Sequence, residues 1–86
     1  MLMNRAIILI SEEEREWIKH VLYLEPWLED NLNQATKIGN RYHIPFLHRD
    51  EVFDCVSAVM FHNDSHGKIW DISAFVERMQ QICLNL

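Results

Sequence analysis

Little in this chain can turn or break a helix: its 86 residues include two prolines and two glycines. That scarcity argues against disorder and against a turn-rich β fold, since both need many residues that fix or free the backbone. Cysteine is equally sparse. Cys55 and Cys83 are separated by 27 residues, which fits no zinc spacing. Each lies among apolar positions, as expected of reduced, buried thiols in a cytoplasmic protein. Long hydrophobic runs are missing too. Arg5 followed by Ala6-Ile7-Ile8-Leu9-Ile10 is too short for a membrane span or a signal peptide, and no small-residue cleavage site follows. Positive charge is in deficit: eight basic residues against thirteen acidic ones leave a formal charge of −5. Generic binding to a phosphate backbone is therefore disfavoured.

What the chain does have is apolar content, 49% hydrophobic with nine aromatic side chains. That is enough for one small domain over 1–86 with a core that needs no staples. The clearest periodicity lies near the end, where Ile72, Phe75, Val76, Met79, Ile82, Cys83 and Leu86 form one helical stripe. Asp71 is suited to cap that helix. Val52, Phe53, Val56, Val59 and Met60 give the preceding helix a face to pack against it. Upstream, Ser11-Glu12-Glu13-Glu14 has capping-box spacing and opens a helix that buries Trp17, Ile18, Val21 and Leu22. The three acids there read as a solvated first turn. Pro26 suits the first position of a further helix, with Leu28, Leu32, Ala35 and Ile38 inward and Gly39-Asn40 as its stop. The expected fold is all-α: four helices near 12–24, 26–38, 49–61 and 71–85, with a C-terminal antiparallel helical hairpin. Residues 6–10 either extend the first helix or form a short strand, partnered by 68–70, 42–44 or a second copy.

Several constellations bear on chemistry. His62 to Ile69 resembles an EF-hand loop, with Gly67 at the sharp-turn position and Ile69 two places on. The resemblance implies a helix–loop–helix geometry. Its ligand positions hold His62, Asp64 and His66, and imidazole suits calcium poorly; Ser73 stands where a bidentate glutamate is needed. Zinc would need His43, His48 or Asp71 to converge, which no spacing requires. The expectation is a polar loop with no metal and no cofactor. Gln34 to Gly39 resembles the start of a helix-turn-helix, yet the segment after it is apolar and contains Pro45. The glycines form no phosphate loop, neither cysteine has a histidine nearby, and a chain this short has little room for a substrate cleft. No catalytic residue is expected.

Elimination, together with more large apolar side chains than the chain can hide, points to a non-enzymatic protein–protein interaction module. It would serve as an adaptor, inhibitor or assembly subunit, with a homodimer left open and no membrane partner. The expected contact residues are Trp27, Tyr42 and Phe46, rimmed by Arg41 and Arg49, because aromatic and arginine side chains dominate binding hot spots. The alternative is a nucleic-acid-binding regulator using segment 37–49, where Lys37, Arg41 and Arg49 meet no acid. A metal-binding helix–loop–helix stands last.

Overall fold

The computed structural model describes residues 6–46 and 48–86. In chain order it comprises β1 (Ala6–Ser11), α1 (Glu12–His20), α2 (Leu28–Asn33), β2 (Thr36–Ile38), β3 (Arg41–Phe46), α3 (Arg49–Ser65) and α4 (Ser73–Leu84). The strands form one antiparallel sheet in the order β1-β3-β2. The fold is therefore α+β, which corrects the all-α expectation.

The correction has a local cause. The helix expected over 26–38 ends at Asn33, and Thr36–Ile38 pairs with Arg41–His43 across a two-residue Gly39-Asn40 loop. Gly39 has φ +65, as the first position of a type II′ hairpin turn demands. Beyond the turn, period two replaces the helical period: Tyr42, Ile44 and Phe46 face the core, whereas Arg41, His43 and Pro45 alternate to the other side. Pro45 is tolerated because β2 reaches only as far as His43, so its missing amide costs no β2–β3 hydrogen bond. Its carbonyl accepts from Asn31 Nδ2 at 2.6 Å. Residues 6–10 do form a strand, β1, and its partner is β3, in the register Ile8↔Ile44 and Ile10↔Tyr42. Leu47 and Arg5 lie outside the described residues.

Helices cover one face of the sheet, where Ile8, Ile10, Ile44 and Phe46 join Ile18, Val21, Leu28 and Val52 in the core. The opposite face is open, leaving Ile7 and Ile38 more than half exposed. Both the capping box and the hairpin expected from sequence are present. Ser11 Oγ accepts the Glu14 amide and Glu14 Oε1 accepts the Ser11 amide. The same Oε1 also accepts from Arg78 Nη2 at 2.6 Å. Glu14 is thus buried and ties α1 to α4, unlike the exposed Glu12 and Glu13. In α4, Phe75 and Met79 are buried and Val76, Ile82 and Cys83 pack half-buried beside them. Its first residue is Ser73; Asp71 reaches that amide only at 3.4 Å.

Candidate functional site

The helix α3 decides the chemistry of two regions. It runs four residues past the expected end at Phe61, so His62 and Asp64 sit on the helix itself rather than in a loop. The EF-hand frame is therefore not formed. Gly67 and Lys68, both at positive φ, reverse the chain after the cap at His66. Among the described residues, no three His, Cys, Asp or Glu side chains are placed to share a metal ion.

Around that helix end the rings stack. His62 lies against His66, centroids 4.0 Å apart, and against Trp70 at 5.0 Å; Trp70 in turn stacks on Trp17 at 5.7 Å. His62 Nδ1 and the Tyr23 hydroxyl are hydrogen-bonded at 2.7 Å. His20 stands edge-on to Trp70. Burial lowers the pKa of His62 below the usual 6.5, and the neighbouring His66 and His20 lower it further. The unfolded chain then binds a proton more readily than the folded one. Stability contributed by neutral His62 is complete above about pH 6.5 and is lost as pH falls from there toward the lower folded pKa. The melting temperature is expected to drop as pH falls below about 6.5, and His62→Gln should flatten that slope. An unchanged slope in the variant would assign the effect to other groups.

The five residues expected to form one contact patch are divided among three places. Trp27 and Phe46 meet edge to face with centroids 6.4 Å apart, and Trp27 Nε1 donates to Glu25 Oε2 at 2.6 Å. Phe46 is only 2% exposed, so it serves the core. Arg41 and Tyr42 occupy the far end of β3 and point to opposite sides of the sheet. There Tyr42 is half-buried under the Arg15 guanidinium, 4.7 Å from the ring centre. Arg49 begins α3 and lines a third feature.

That feature is a groove of about 530 Å³ between α3 and α4. Val56 and Met79 form its floor, Phe53 and Met60 its α3 wall, and Cys83 and Leu84 its α4 wall. The helical spacing in the sequence assigns Phe53 and Met60 to the buried face with Val52, Val56 and Val59. The valines are buried, but Phe53 is 63% and Met60 38% exposed. The missed signal is that α3 carries two apolar stripes. Val52, Val56 and Val59 follow one line, and Phe53 and Met60, seven apart, follow a second about 100° away. A helix with one partner needs one stripe. The second stripe has no partner within the described residues.

Neither cysteine thiol is activated. Burial, with the nearby Glu25 carboxylate, pushes the Cys55 thiol up to about 12, and burial also raises that of Cys83. Both are free thiols, and a thiol of raised pKa is a poor nucleophile at neutral pH. Also among the described residues, no helix is long and apolar enough to cross a membrane. No protein-family model, no curated protein and no solved structure matches this chain.

Proposed function

We propose that the chain is a non-enzymatic protein-binding module and that the α3–α4 groove is its contact surface. The carrying observation is the groove itself: Phe53, Met60 and Leu84 stand exposed around a floor of Val56 and Met79. Contiguous apolar surface of that kind on a small protein marks an interaction site, because leaving it in water forgoes about 25 cal/mol for each Å². Methionine and leucine walls adapt to more than one ligand shape. Free thiols of raised pKa suit a reducing cytoplasm, and no cofactor is required.

Affinity capture from a lysate of the cells that express the chain, run with and without nuclease treatment, tests the reading. A partner protein is expected to stay bound at about 0.5 M salt and to be lost with Phe53→Asp, a change at an exposed position that leaves the core intact. Retention of nucleic acid instead, released steeply as salt rises, would favour a regulator acting through Lys37, Arg41 and Arg49. Capture of no protein at all would remove the reading.

A further inference from the structure

The groove has a rim as well as a floor, and the rim is acidic. Along α3, the spacing i, i+4, i+7, i+11 aligns Asp50, Asp54, Ser57 and Phe61 beside the groove wall, and Ser57 itself lines the groove. Along α4 the same spacing aligns Ser73, Glu77, Gln80 and Leu84, of which the last two line the groove. Asp50, Asp54 and Glu77 are all exposed. Of the cations, Arg49 lines the groove itself and the three carboxylates flank that lining, while Arg78 pairs with Glu14. Partial desolvation, then the surrounding carboxylates of Glu25, Asp50 and Glu51, hold the Asp54 carboxyl above its usual range. Negative charge is crowded here and gains from a cation brought alongside.

We infer that the groove receives a basic amphipathic helix of another protein, its apolar face on Val56 and Met79 and its lysines or arginines against Asp50, Asp54 and Glu77. The inference rests on the protein-binding reading and adds the chemistry of the partner. Three observations favour a helix of that charge. Both walls are helices whose backbone groups are already bonded internally, so they offer an extended peptide no edge; a helix brings its own hydrogen bonds and leaves none unpaired. From Arg49 to Met60 the wall is about 16 Å long, the length of three helical turns. A second copy of this chain would set acidic rim against acidic rim, each from a molecule of formal charge −5.

The test uses three labelled peptides of about 16 residues, long enough to form helix on a surface. One has leucines at i, i+3, i+4 and i+7 flanked by lysines, the second has glutamates for the lysines, and the third has alanines for the leucines. Fluorescence anisotropy should show saturable binding of the leucine–lysine peptide and at least roughly tenfold weaker binding of each of the others. Phe53→Ser should abolish binding. Asp50→Lys with Asp54→Lys should reverse the preference toward the glutamate peptide, with circular dichroism showing that both variants fold. Equal binding of the lysine and glutamate peptides overturns the inference, as does binding that survives Phe53→Ser. Concentration-dependent dimers in sedimentation that Phe53→Ser dissolves would give the groove to a second copy and equally overturn it. Failure here is separable from failure of the broader reading: a captured partner that Phe53→Asp does not release removes the groove but keeps a protein-binding module.

Discussion

Phe75→Ala is expected to cost about 3–5 kcal/mol, much of the stability of a domain this small. Phe75 is 1% exposed and stands edge to face against Trp17, ring centres 5.7 Å apart. Truncation removes both the burial and the ring contact, and the rigid aromatic neighbours can collapse little into the space. Met79→Ala, also at a buried site, should cost about 2–5 kcal/mol. The exposed Glu77 provides the control, since Glu77→Ala should change stability by less than about 0.5 kcal/mol. Urea melts read all three, with an unchanged slope showing that the unfolded state is not altered. Similar midpoints for Phe75→Ala and Glu77→Ala would mean that α4 does not dock through the face described.

The second large effect is expected at Asn63, a buried polar side chain, 4% exposed, that holds the α3–α4 connection in place. Its Nδ2 donates to the Trp70 carbonyl at 3.0 Å and its Oδ1 accepts the Trp70 amide at 2.8 Å. The amide side chain thus acts like a neighbouring strand for one residue. Its own carbonyl accepts the Lys68 amide at 2.7 Å. Asn63→Ala removes both side-chain bonds and leaves two backbone groups without partners, at a cost of about 2–4 kcal/mol. Asn63→Asp keeps the acceptor but puts a carboxylate oxygen against the Trp70 carbonyl, so it should be no better tolerated. Near-ultraviolet circular dichroism should report the same change, because Trp70 stacks on Trp17 and His62. A near-native Asn63→Ala would show that ring stacking alone holds the loop.

The features legible in the sequence are those set within a few residues. The Ser11–Glu14 capping box, the buried stripe of α4 and the antiparallel α3–α4 pair follow from spacing that a helix converts directly into one face. Residues 36–38 fit a helix in the sequence because Leu28, Leu32, Ala35 and Ile38 share a helical period by chance, which masks the start of a period-two run. The Gly39-Asn40 turn and the Tyr42–Ile44–Phe46 alternation did carry the hairpin. The dispersal of the expected contact residues could not have been read in the same way. Arg41 and Phe46 end up at opposite ends of one strand, and a strand places residues far apart that a loop could have gathered.

Local rules in the sequence thus determined that helices begin at Glu12 and Arg49 and that Phe75 and Met79 lie on the buried face of α4. Tertiary structure alone decided three things: that residues 6–11 pair with 41–46, that Glu14 meets Arg78 across the fold, and that Phe53 and Met60 remain uncovered. The physical reason is that an apolar side chain reports a demand for burial but not its partner. In this chain the valines of α3 find theirs inside the molecule, while the second stripe, sharing its helix, is left facing water over the groove.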